Sequence, residues 1–96
     1  MRMLSSQTET ADAVSSHPVR VCVVEDDSVV REQLIHQIKR ASGFTFLSSH
    51  RSAENALEEI PRQKPDVVLM DINLPRMSGI DCVRHLKGQL PGTHFV

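Results

Sequence analysis

Tryptophan and tyrosine are missing altogether, and three phenylalanines are the only aromatic side chains among 96 residues. Without aromatic faces the chain has no stacking platform for nucleic-acid bases. A charge of one sign is missing too: 11 lysines and arginines face 12 aspartates and glutamates, giving a net charge of −1 with no basic cluster. Direct nucleic-acid binding by this chain is therefore not expected, and a DNA-binding effector domain would have to follow in a longer form. No apolar run is long enough to span a bilayer, and Met1-Arg-Met-Leu passes at once into polar residues, so neither a membrane span nor a secretory signal is expected. The two cysteines, Cys22 and Cys82, have neither C-x-x-C nor zinc spacing. They read as buried, reduced thiols in a cytoplasmic protein. The five histidines contain no i, i+4 pair, which leaves no basis for a histidine metal site.

What remains is one domain behind a tail. Residues 1–18 are rich in Ser and Thr, carry no apolar run and stop at Pro18, the composition of a disordered N-terminal tail. From residue 19 strands and helices alternate. Residues 19–24 form an apolar strand; residues 28–41 form a helix with Val30, Leu34, Ile38 and Ala41 as its inner face, Asp27 or Ser28 as its cap and Ser42-Gly43 as its stop. Residues 44–48 make a second strand, and residues 53–60 a helix capped by Ser52 and ended by Pro61. Residues 66–70 make a third strand. Ser78-Gly79 opens a third helix with Ile80, Val83 and Leu86 inward, and Pro91-Gly92 turns into a short strand at His94-Phe95-Val96. This order predicts an α/β fold, a doubly wound parallel sheet with right-handed crossovers.

In such sheets ligands bind beyond the carboxyl ends of the strands. Two strands end there in acid: Val19-Arg-Val-Cys-Val-Val runs into Glu25-Asp26-Asp27, and Val67-Val-Leu-Met runs into Asp71. Adjacent strands would gather three or four carboxylates at one edge. Asp27, at the start of a helix, reads as its cap, and Pro75 and Gly79 read as residues that shape the loop after Asp71.

The stretches Val-Val-Glu25-Asp26-Asp27-Ser and Leu-Met-Asp71-Ile-Asn73-Leu-Pro75-Arg-Met-Ser-Gly79 resemble the receiver domain of bacterial two-component response regulators, over residues 19–96. The resemblance implies a flavodoxin-like receiver fold, a phosphoacceptor at Asp71, and Mg²⁺ held by Glu25, Asp26, Asp71 and the backbone carbonyl of Asn73. It also implies a sensor histidine kinase as the phosphoryl donor. The chemistry agrees: clustered oxygen donors select a hard cation, with Asp26 and Asp71 as direct ligands and Glu25 acting through water. Mutual repulsion should raise carboxylate pKa values until a divalent ion arrives. The wording of the Asn73–Gly79 loop looks most like receivers that precede helix-turn-helix transcription factors.

The family's switch Ser or Thr and its later Lys have no counterpart in this sequence, so an incomplete fold is expected, about three and a half of five β-α units. Val and Cys side chains of the first strand should then lie partly uncovered and the third strand should present a free edge, which favours weak stability or self-association. An alternative function is a non-switching fragment that only binds a kinase through its first helix, or that has none. A haloacid dehalogenase-type phosphatase also uses a strand-end aspartate but wants a second Asp where this chain has Asn73. No residue offers itself as a base for turnover of a separate substrate, so the chain is not expected to be an enzyme.

Overall fold

The computed structural model describes residues 17–96, so the disordered tail expected over residues 1–18 lies, but for His17 and Pro18, outside the described residues. The elements run β1 (Val19–Val24), α1 (Ser28–Arg40), β2 (Phe44–His50), α2 (Ala53–Gln63), β3 (Val67–Met70), α3 (Gly79–Gln89) and β4 (His94–Phe95). They build a four-stranded parallel sheet of order β2-β1-β3-β4, the expected flavodoxin-like architecture. Among the described residues no helix is long and apolar enough to cross a membrane.

Strand β1 is central, and its apolar run follows from burial on both faces. Cys22 and Val24 point to α2 and α3, where they pack with Ala56, Ile60, Cys82 and Leu86. Val21 and Val23 point to the opposite face and meet Ile38 of α1, flanked by half-buried Leu34, Phe46 and Leu69. The expectation that β1 would be partly uncovered is therefore corrected for all but its half-buried first residue, Val19: Val21, Cys22, Val23 and Val24 are all 3% exposed or less, with α1 closing the second face over Val21 and Val23. The free edge expected on β3 is corrected as well. Val67 and Val68 pair with His94 and Phe95, and Met70 donates to the Val96 carbonyl at 2.9 Å, so the unpaired edge belongs to β4.

Besides α1 and β4, which stop one residue short of the sequence reading at Arg40 and Phe95, three boundaries differ from it. Helix α2 passes through Pro61 to Gln63, where Lys64 ends it in the left-handed region at φ 48°. Proline removes one N–H from the helix. The last turn is held instead by Arg20, whose guanidinium donates to the carbonyls of Gln63 and Lys64 at 2.7 and 2.8 Å. Strand β2 runs on to His50 because the register slips between Val21 and Cys22, skipping Leu47 and carrying His50 opposite Val24. Strand β3 is bounded at Val67, although Asp66 already donates its N–H to the Arg20 carbonyl and accepts from His94 N–H, both at 2.9 Å, while its side chain accepts from Arg20 N–H at 2.8 Å.

Two helix faces also differ. In α1 the buried residues are Ile35 and Ile38, while Val30 is 39% exposed and Ala41 lies outside. The steps of four from Val30 through Leu34 to Ile38 drift about 40° each around a 3.6-residue helix, which carries Val30 off the face that buries Ile35 and Ile38, and Ala41 is the C-cap past the last helical residue. In α3 the buried residues are Gly79, Cys82 and Leu86, and Ile80 is 58% exposed. Small residues let that helix sit close, a signal that hydrophobicity alone does not carry.

Candidate functional site

The register of β1 on β3 sets Val24 against Met70, so Glu25 and Asp71 leave the sheet side by side. One more rung follows on each side: Asp71 N–H donates to the Val24 carbonyl at 2.9 Å, and Glu25 N–H to the His50 carbonyl at 2.9 Å. Both carboxylates thus begin on fixed backbone. Carboxylate oxygens of Glu25, Asp26 and Asp71 lie within 4.8 Å of one another, with Glu25 and Asp71 half-buried and Asp26 exposed. Loss of hydration pushes the Glu25 carboxyl above its ordinary range; the Asp27 N–H opposes this, and the neighbouring Asp71 and Asp26 reinforce it.

Each loop has its own tether. Asp27 accepts from Val29 and Val30 N–H at 2.9 and 3.1 Å, which makes it the N-cap of α1, as its position implied. The guanidinium of Arg31 turns back to donate to the Glu25 carbonyl at 2.9 Å and reaches that of Asp26 at 3.5 Å. Sequence reasoning missed this residue, and its one signal was a cation one turn into a helix that follows an acidic loop. After β3, Asn73 N–H donates to Asp71 Oδ1 at 2.9 Å, an Asx turn that orients the carboxylate. Leu74 is buried beneath the loop, and Pro75 and Arg76 are exposed, Arg76 in the left-handed region at φ 66°.

Gly79 shapes this loop for a reason other than a turn. Its N–H donates to the Ile72 carbonyl at 3.2 Å, and a Cβ there would land on the Asp71 carbonyl oxygen and 2.6 Å from Ile72 Cα. Only a residue without a side chain lets α3 start against the backbone of Asp71. Ser78 caps α3 by accepting from Asp81 N–H at 3.2 Å and donates its hydroxyl to the Asp81 carboxylate at 3.2 Å. The helix start read at Ser78-Gly79 holds, and the Ser78-x-x-Asp81 spacing that the structure reveals there places a poor helix former, Gly79, at the first helical position.

The donor set is all oxygen and all anionic, which fits a hard divalent cation such as Mg²⁺ in type and in charge. Asp71, oriented through Oδ1, has the chemistry of an oxygen nucleophile.

The comparisons with known proteins point the same way. Residues 21–96 match the response regulator receiver domain family. A protein-glutamate methylesterase/protein-glutamine glutaminase of Syntrophus aciditrophicus is 38% identical over 73 residues, which is 76% of this chain and 21% of that protein. A LuxR-family two-component response regulator from Aurantimonas superposes with a TM-score of 0.76 at 28% identity, covering 81% of this chain and 56% of that one. The response regulator domain of CheB from Thermotoga maritima gives a TM-score of 0.76 at 26% identity, covering 82% and 58%. The chain spans about a fifth of the length of the curated methylesterases it matches. It belongs to the response regulator receiver domain family. It is a signalling module of the two-component type, and the incomplete receiver fold expected from the sequence is the fold observed.

Proposed function

We propose that this receiver takes a phosphoryl group from a sensor histidine kinase onto Asp71. The observation that carries the reading is the meeting of Glu25, Asp26 and Asp71 within 4.8 Å at the carboxyl edge of a parallel sheet. Asp71 attacks phosphorus through a carboxylate oxygen; the new O–P bond forms as the P–N bond to the donor imidazole breaks, and the nitrogen leaves with the electron pair. The Asx bond from Asn73 engages Oδ1 and leaves Oδ2 as the attacking atom. Glu25, Asp26 and Asp71, with the Asn73 carbonyl, are the residues to hold Mg²⁺, which when bound neutralises charge on the transferred oxygens. On this reading the chain acts as a signalling module with no separate substrate to turn over, and loss of the group is self-hydrolysis.

Incubation with acetyl phosphate and Mg²⁺ should add one phosphoryl group by intact mass, and Asp71→Asn should abolish it. Equal labelling of the variant would remove Asp71 from the role. The kinase-binding alternative has its own support in α1, which turns Val29 and Val30 outward at 64% and 39% exposure. Kinase binding that survives Asp71→Asn, together with no phosphoryl uptake by the unaltered protein, would favour it.

A further inference from the structure

Beside the carboxylate cluster lies a groove of about 640 Å³, framed by the loops that follow β1, β2 and β3 and lined by Asp26, Ser28, Arg51, Ser52, Pro75 and Arg76, with Glu54 at one side. Its volume is that of a small-molecule site. Two cations line this groove from different loops, Arg51 after β2 and Arg76 after β3. Among the described residues neither donates a hydrogen bond or joins an ion pair, although Glu54 lines the same groove; the one ion pair is Arg84 with Asp81. Arg76 is moreover held at φ 66°, a backbone state a side chain of its size seldom adopts.

We infer that Arg51 and Arg76 form an anion cradle that receives the phosphoryl group of the donor before transfer. The inference rests on the phosphoacceptor reading and adds to it the residues that recognise the incoming group. The electrostatic need is plain: three carboxylates and one divalent ion still leave negative charge where a phosphoryl dianion must arrive. Two guanidiniums at the mouth reverse that sign and offer paired N–H donors matched to phosphoryl oxygens. The ligand class is a phosphoryl group on a good leaving group, either an acyl phosphate or a P–N compound. With acetyl phosphate the Asp71 O–P bond forms as the P–O bond to acetate breaks, and acetate leaves with the electron pair. With phosphoramidate the nitrogen already carries its proton and leaves as ammonia.

The test uses the full chain. Rates of labelling by acetyl phosphate and by phosphoramidate are measured against donor concentration at saturating Mg²⁺ for Arg51→Ala and Arg76→Asn, the latter because asparagine tolerates the left-handed backbone. Each variant should raise the half-saturating donor concentration about three- to ten-fold, with the rate at saturation kept and Mg²⁺ binding unchanged or tighter. An effect on both donors assigns the cradle to the shared phosphoryl group; an effect on phosphoramidate alone assigns it to P–N donors. Unchanged concentration dependence, or parallel loss of donor and Mg²⁺ binding, would overturn the inference. A second measurement separates it from the phosphoacceptor reading. In Asp71→Asn, which takes no group, phosphoramidate should still shift the Nε–Hε resonances of Arg51 and Arg76. Unmoved resonances overturn the cradle; moved resonances in a protein whose unaltered form takes no label support the cradle and sink the transfer.

Discussion

On one face of the sheet, α2 and α3 seal ten buried residues, from Cys22 and Val24 outward to Leu74 and Leu90. On the other, α1 closes over Val21 and Val23 with Ile38 as its buried contact in that cluster. Helix α1 is held as much by its ends as by its face: the Asp27 cap and the Arg31 bonds to the Glu25 and Asp26 carbonyls tie its first two turns to the loop. The acidic site straddles the two regimes, since Asp71 leads into the densely packed α3 side and Glu25 and Asp26 lead into α1. Stability comes mainly from one half of the molecule, and half of the site hangs on the other.

Four substitutions and a titration bear on that contrast. Leu86→Ala empties a fully buried position on the α2/α3 face and should cost about 3–5 kcal/mol, a large part of what a domain of this size has; urea unfolding followed by circular dichroism measures it. Gly79→Ala drives a methyl into the Asp71 backbone, and about 2–3 kcal/mol should be lost with labelling by acetyl phosphate falling further than stability does. Ile38→Ala, at 9% exposure on the thin face, should cost about 2 kcal/mol or less. A loss equal to that of Leu86→Ala would break the contrast. Asp27→Ala should remove about 1 kcal/mol by uncapping α1 and leave Mg²⁺ affinity nearly intact; calorimetric Mg²⁺ titration showing the reverse pattern would make Asp27 a ligand.

A further effect concerns pH. Burial, reinforced by Glu54, pushes the Cys82 thiol up to about 11 from 9.0. A folded-state value above the unfolded one means the stabilisation is complete below pH 9.0 and fades as pH rises towards about 11. Cys82→Ala should flatten the alkaline fall in the urea midpoint over that window. Burial raises the Cys22 thiol too, so neither cysteine should react with a thiol reagent at pH 8 until urea is added.

The strands and the acidic residues were legible because they depend on one-dimensional facts: an apolar run, its length, and the residue type at its end. Glu25, Asp26 and Asp71 meet where those runs predict. Helix faces were less legible. Spacing by four overstated Val30 in α1, the helix stopped one residue before Ala41, and the close seat of α3 depended on Gly79 and Cys82, whose value is their small size. The continuation of α2 past Pro61 could not be read locally, because what holds the last turn is Arg20, more than forty residues away in sequence. Arg31 escaped for a similar reason, since its guanidinium serves backbone carbonyls, which any sequence supplies.

Gly79 is glycine because a helix begins in van der Waals contact with the peptide of Asp71. Helix α3 consequently walls in the Asp71 peptide on one side. Its first turn cannot advance without meeting the Asp71 carbonyl, and that carbonyl has no room to swing toward the helix. In a saturation library scored for phosphorylation, position 79 should tolerate one residue where the surrounding loop tolerates many.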